Sequence, residues 1–153
     1  MQFVVNDHVA VGPQTLFDHI SDVALLEQMV KRGGASIHRT DGGSGATVGA
    51  SWMIGVPFRG RTQDVSMKLV EVQAPRLMRI AFASGGVEGE ISLVLTPAEG
   101  AGTDTVFTME MGANSLIGRL LLQSLKLARG TISNRIRKRV GNYLHLAEAR
   151  ARA

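Results

Sequence analysis

The side chains able to do chemistry in this 153-residue chain are few and scattered. It has no cysteine, so thiolate nucleophiles, disulfides and cysteine-ligated metals are absent. The four histidines, His8, His19, His38 and His145, stand far apart, without the H-x-H or H-E-x-x-H spacing that turns two imidazoles onto one ion. No metal site and no cofactor are expected. Glu88 and Glu90, with Glu110 downstream, fall on the polar side of alternating stretches. A catalytic carboxylate pair needs a cleft that drives its two pKa values apart, so these read as surface charge. Arg59 and Arg61 carry more weight. If Val65, Met67 and Leu69 face inward, strict alternation puts Arg59, Arg61 and Gln63 on the same face. There an arginine would anchor a carboxylate, phosphate or quinone oxygen, since a buried guanidinium demands a partner. A bulge near Leu69-Val70-Glu71-Val72 would slip the register and turn Thr62, Asp64 and Ser66 inward instead. Both registers stay open.

Two glycine-rich stretches fail as phosphate or nucleophile loops. Gly42-Gly43-Ser44-Gly45-Ala46 lacks the closing glycine of G-x-S-x-G. Gly100-Ala101-Gly102-Thr103-Asp104-Thr105 lacks the last glycine of G-x-G-x-x-G and joins two strands, where a dinucleotide site needs strand then helix. Both read as turns.

These residues must be held by elements the hydrophobic pattern makes visible. Phe3, Val5, Val9 and Val11 alternate as a strand that stops at Gly12-Pro13. Leu16, Phe17 and Ile20 follow at helical spacing. Ser21-Asp22 then caps a second short helix through Val23, Leu26, Met29 and Val30. From residue 35 the period changes to two, with strands expected over 35–40, 47–55, 58–72, 76–84, 87–97 and 103–112, separated by Gly/Pro breaks such as Gly55-Val56-Pro57. Short breaks favour an antiparallel meander with one buried face. Leu121, Leu125, Ala128, Ile132, Ile136, Val140 and Leu144 then form one stripe, predicting a single helix over 115–146, with a bend expected near Gly130 or Gly141. The sheet must curl around that helix, because no other apolar surface could bury the stripe. The expected fold is α+β: about seven antiparallel strands around a long C-terminal helix, in one domain over 1–153.

Charge is unevenly spread. Of the seventeen Lys/Arg, nine lie in Ser115–Ala153 beside a single acid, Glu148; the other eight share residues 1–114 with twelve acids. Arg135, Arg137, Lys138 and Arg139 are the densest cluster and could meet an anionic membrane surface. Only Tyr143 lies nearby to stack on bases, so nucleic acid is not expected. The first residues lack the basic start and apolar core of a signal peptide, and no apolar run reaches membrane-span length, so a soluble cytoplasmic protein is expected.

The order strand, two short helices, meander and long helix resembles the helix-grip fold of the START-like, or SRPBCC, superfamily. The resemblance is carried by Val9-Ala10-Val11-Gly12-Pro13 running into Leu16-Phe17-Asp18-His19-Ile20-Ser21-Asp22, by Val70-Glu71-Val72-Gln73-Ala74-Pro75-Arg76-Leu77, and by Gly89 to Pro97 with Gly102-Thr103. Members include lipid and coenzyme Q carriers, polyketide cyclases and aromatases, plant hormone and allergen proteins, and chaperone co-activators, so fold alone does not choose a function. The resemblance implies a small hydrophobic molecule held between sheet and helix. Its expected walls are Trp52, Ile54, Met67, Phe82, Ile91, Leu93, Phe107, Met109, Leu121 and Leu125, with Arg59 or Arg61 as polar anchor. Seven methionines suit an adaptable pocket. A carrier or sensor leads; a cyclase, aromatase or dehydratase using Arg61, Asp64 or His38 in the same cavity, or an interaction module with a filled core, are the rivals. No catalytic residue is assigned, and the oligomeric state is open.

Overall fold

The computed structural model describes residues 1–153. The elements run β1 (Gln2–Val9), α1 (Pro13–Ile20), α2 (Val23–Arg32), β2 (Ser36–Arg39), β3 (Ser51–Phe58), β4 (Arg61–Gln73), β5 (Leu77–Ser84), β6 (Val87–Pro97), β7 (Thr103–Ala113), α3 (Leu116–Leu127) and α4 (Arg129–Ala151). All seven strands form one antiparallel sheet in the order β1-β7-β6-β5-β4-β3-β2. Only β1 departs from a plain meander, returning to pair with the last strand. α1 starts on Pro13 at its first turn, where the missing N–H costs nothing. α2 is capped by Asp22, whose carboxylate accepts from the Ala24 backbone N–H at 3.0 Å.

The ladder fixes which side chains share the concave face. One inner row runs Phe3, Met109, Ile91, Ile80 and Leu69 across β1, β7, β6, β5 and β4. A second runs Met111, Gly89, Phe82, Met67, Trp52 and Arg39 from β7 to β2. The register shifts between Leu69 and Glu71. Residues 61, 63, 65, 67 and 69 therefore share the inner face, and past the bulge Val72 takes it over.

Several boundaries differ from the sequence reading: β3 begins at Ser51, not 47, and the last helix runs on to Ala151, past 146. The β3–β4 turn falls at Arg59-Gly60, both with positive φ (51° and 75°), and not at residues 55–57. Pro57 is tolerated inside β3 because β2 stops opposite Gly55, leaving residues 56–58 as an edge that β4 alone pairs. The C-terminal helix is two helices, α3 and α4, broken at Ala128 (φ −104°, ψ 20°).

The interior is split. One buried cluster joins Val9, Leu16, Phe17, Ile20, Leu25 and Leu95 to Leu144 and Ala147 of α4. The other, Ile37, Ala50, Trp52, Ile54 and Leu69, lies at the β2–β4 end. α4 packs on α1 and β1, and α3 on β7 and β6. The accessible surface is 8596 Å². A filled monomer of 16.4 kDa would show about 7,500 Å². The surplus of about 1,100 Å² includes the outward side of α3, where Leu116, Ile117, Leu120 and Leu127 stand exposed.

Candidate ligand cavity

The two clusters meet through Val72 and Met78, and beside them lies a belt of apolar side chains that belong to neither. Phe82, Ile91, Phe107 and Met109 rise from β5, β6 and β7, and Leu121 and Leu125 descend from α3; all are half-buried. Leu93 and Met67, also half-buried, form the margins, packing against the first and second cluster respectively. Six of these expected wall residues share the inner sheet face, and Leu121 and Leu125 lie on α3, which packs on β6 and β7.

Gly89 shapes the middle of this wall. A Cβ there would strike the Glu110 carbonyl and come within 2.8 Å of the Phe82 ring. The glycine thus lets a phenyl ring lie flat across β6. α3 is held over the belt by a second close approach. Gly118 packs directly on Gly86 in the β5–β6 turn, where a Cβ would collide with the Gly86 carbonyl. The Asn114 N–H donates to that carbonyl at 2.9 Å, and the Ser115 hydroxyl caps the helix by accepting from Gly118 N–H at 3.0 Å.

Trp52 and Ile54 do not stand on the open belt. Both are buried in the second cluster, against Val23 and Val30 of α2 among others. Arg61 has inner-face parity but sits exposed at the β3–β4 tip, outside the apolar space. Arg59 occupies the turn itself and donates to the Ser124 hydroxyl of α3 at 2.7 Å. It ties the hairpin tip to the helix above the belt. Gln63, on the inner face, donates to the Ser84 hydroxyl at 2.8 Å, and Ser84 donates to the Asp64 carbonyl at 2.5 Å. Arg59, Ser124, Gln63 and Ser84 are therefore the polar groups at this end of the belt. Sequence reading missed Ser84 and Ser124. The available signal was a lone serine on each otherwise apolar face.

An arginine does enter the interior, but it is Arg39. Its guanidinium lies over the Trp52 ring at 4.8 Å and pairs with Asp41 in the following loop. The hydrogen bond from Arg39 holds the Asp41 carboxyl well below the usual carboxylate range. Arg39 Nη1 and Trp52 Nε1 have no acceptor.

The histidines stay apart. His8 meets Asp104 at 2.9 Å, and His145 lies 3.5 Å from Asp7 and 3.8 Å from Glu148. No three His, Asp or Glu converge as ligands. His38 and Asp64 are exposed and point to the outer face with Met53 and Gly55. A trough of about 1240 Å³ crosses that outer face, because a twisted sheet is saddle-shaped and concave along one diagonal on either side. Its walls carry Lys68, Arg79, Glu88, Glu90 and Glu110, with Arg79 paired to Glu71 at 2.9 Å and Glu90 at 3.4 Å. Such a charged, open floor suits no apolar ligand. On α4 Arg135, Lys138 and Arg139 share one face within about 100°, and Arg137 lies off it. At about 100° per residue Arg135 and Arg137 point some 160° apart, and Arg139 folds back onto the Gly33 carbonyl at 3.3 Å.

A curved seven-stranded antiparallel sheet with a long C-terminal helix, closing on an apolar belt, defines a helix-grip protein. The chain belongs to the polyketide cyclase/dehydrase and lipid transport family, whose model matches residues 1–143. No curated protein sequence matches it. Among solved structures it is similar to TTHA0849 from Thermus thermophilus (15% identity, all of both chains covered, TM-score 0.71). It is also similar to the Zhui aromatase/cyclase from Streptomyces sp. R1128 (14% identity, 100% of this chain and 96% of that one, TM-score 0.70). A third is a point mutant of norcoclaurine synthase from Thalictrum flavum, in complex with a transition-state analogue (12% identity, 100% and 98% covered, TM-score 0.69). At these identities the likeness concerns the fold. No helix is long and apolar enough to cross a membrane.

Proposed function

We propose that this protein binds and carries, or senses, a small hydrophobic molecule between the inner face of β4–β7 and α3. The observation that supports this best is the belt of half-buried apolar side chains, Phe82, Ile91, Phe107, Met109, Leu121 and Leu125, which belong to neither closed cluster. Apolar area left half-solvated inside a fold is a standing driving force of about 25 cal/mol per Å² for whatever covers it. Three unbranched or ring-shaped walls, Met67, Met109 and Phe82, can repack around ligands of different outline. Gln63, Ser84, Ser124 and Arg59 cluster at one end, where they would orient a polar head while the tail lies along the belt. A quinone, lipid or polyketide-like compound has that shape.

Carriage is favoured over catalysis because His38 and Asp64 are on the far face of the sheet and Arg61 is exposed at the hairpin tip. No carboxylate or imidazole stands among the belt residues. Native mass spectrometry of the purified protein, repeated after denaturation, tests the reading. A stoichiometric apolar adduct released on denaturation is expected. A partly processed polyketide in its place would return the cavity to cyclase chemistry. Absence of any adduct, together with failure to take up quinones, lipids or aromatic polyketides added back, would overturn the proposal.

A further inference from the structure

α3 is apolar on two opposite sides. Its inward side places Gly118, Leu121, Leu122 and Leu125 against β6, β7 and the belt. Its outward side presents Leu116, Leu120 and Leu127, within an arc of about 40° at 100° per residue, with Ile117 beside them. These four are 72%, 59%, 93% and 73% exposed in that order. A surface helix normally turns charge to water, and one that is apolar all round belongs inside protein or lipid. The charges that are present have one sign. Arg119 and Lys126 flank the exposed stripe, exposed themselves, and Arg59 reaches the other flank through Ser124. Between Glu110 and Glu148 the chain has no acid at all.

We infer that α3 is a docking helix that lies in the surface of an anionic lipid bilayer, with Leu116, Ile117, Leu120 and Leu127 in the acyl boundary and Arg119 and Lys126 among the headgroups. Exposed aliphatics flanked by bases are the combination an anionic interface rewards, through buried apolar area and through charge. A second copy of this chain fits worse. A two-fold contact through α3 would set the acid-free, basic helix of each copy against that of the other. The inference adds a docking step to the carrier reading and stands without it, because α3 can bind lipid whether or not the cavity is filled. It would also set the helix that roofs the belt directly against the membrane.

The test is flotation with vesicles of phosphatidylcholine, alone or with a quarter of phosphatidylglycerol. The whole protein should partition to the anionic vesicles at least about ten-fold better than to neutral ones, and high salt should weaken the binding. Leu116→Ser with Leu120→Ser and Leu127→Ser, and separately Arg119→Glu with Lys126→Glu, should each lose about ten-fold or more. All five positions face solvent, so circular dichroism should be unchanged. Arg137→Glu with Lys138→Glu on α4 removes the same charge elsewhere and should stay within about two-fold. Three results would each overturn the inference: equal partition to neutral and anionic vesicles, wild-type partition by the α3 variants, or the α4 variant losing as much as the α3 pair. Dimerisation abolished by the leucine variant, without vesicle binding, would assign the stripe to a second copy instead.

Discussion

Two side chains on β6, four residues apart on the same face, should respond in opposite ways to truncation. Leu95 is 1% exposed and packed among Val9, Leu16, Phe17 and Leu144. Leu95→Ala leaves a void that its neighbours cannot close, at a cost of about 2–5 kcal/mol. For a chain of this size that lowers Tm by on the order of 10 °C. Ile91 stands in the belt, half-buried and in neither cluster. Because it is only half-buried, Ile91→Ala forfeits only part of the transfer term, about 1 kcal/mol. Ligand affinity reverses the order. Three carbons at about 0.8 kcal/mol each are withdrawn from the ligand's wall, up to about 2.4 kcal/mol or some fifty-fold in Kd. Leu95 touches no ligand, so its variant should bind within about two-fold of wild type. Thermal unfolding gives the first comparison. Titration with the fluorescent probe 8-anilinonaphthalene-1-sulfonate, far below either Tm, gives the second. If Ile91→Ala destabilises as much as Leu95→Ala and leaves probe affinity unchanged, the belt is a filled core and the reasoning fails.

Three further outcomes follow from particular contacts. Gly118→Ala drives a methyl into the Gly86 carbonyl and should cost about 1–3 kcal/mol. Gly130→Ala meets nothing within 4 Å and should gain about 0.5–1 kcal/mol in helix propensity, so thermal melts should move in opposite directions. The depressed Asp41 carboxyl contributes stability that is complete above its unfolded pKa of about 3.8 and is lost as pH falls toward the lower folded value. Asp41→Asn should therefore flatten the dependence of Tm on pH below about pH 4 while lowering Tm at neutral pH; an unchanged acid limb would contradict it. Tyr143 donates to the Ile20 carbonyl at 2.5 Å, and burial pushes its phenol above the usual range. Tyr143→Phe should cost about 1–2 kcal/mol by denaturant titration, and the wild-type phenol should not ionise before alkaline unfolding.

Much of this architecture is legible in residue order. Ile91, Leu93 and Leu95 against Glu88, Glu90 and Ser92 write β6 and its faces without help. Pro13 and Asp22 mark the helix starts, where elementary capping chemistry puts them. The sheet's register was legible only as two alternatives. The first holds through Leu69, so Thr62, Asp64 and Ser66 stay on the outer face, and only past the bulge between Leu69 and Glu71 does Val72 turn inward. What stayed hidden has physical reasons. The β3–β4 turn uses Arg59 at positive φ, a conformation ordinarily marked by Asn or Gly, while Pro57 advertised a break that an edge position makes unnecessary. The helix break at Ala128 is not marked by the 121-to-144 apolar spacing, which runs straight through it although Ala128 itself is exposed and α3 and α4 pack on different elements. For the candidate site, the inner-face positions on β5–β7 and the apolar positions of α3 follow from alternation and periodicity. Trp52 and Ile54 share that alternation, yet α2 closes over them, a packing no strand pattern contains. Arg39 turns inward and Arg61 does not, because the loop after β2 supplies Asp41 and the Gly45 carbonyl as partners over the Trp52 ring, whereas Arg61 stands exposed at the β3–β4 tip.

The central claim is that an apolar ligand lies between β4–β7 and α3. Its most direct test is a methyl-labelled NMR titration, with Ile, Leu and Met methyls observed as 8-anilinonaphthalene-1-sulfonate is added. Saturable shifts should concentrate on Ile91, Leu93, Met109, Leu121 and Leu125, with Leu16, Leu25, Leu95 and Leu144 nearly still. Shifts confined to Met53 and the outer face, or spread evenly through both closed clusters, would contradict it.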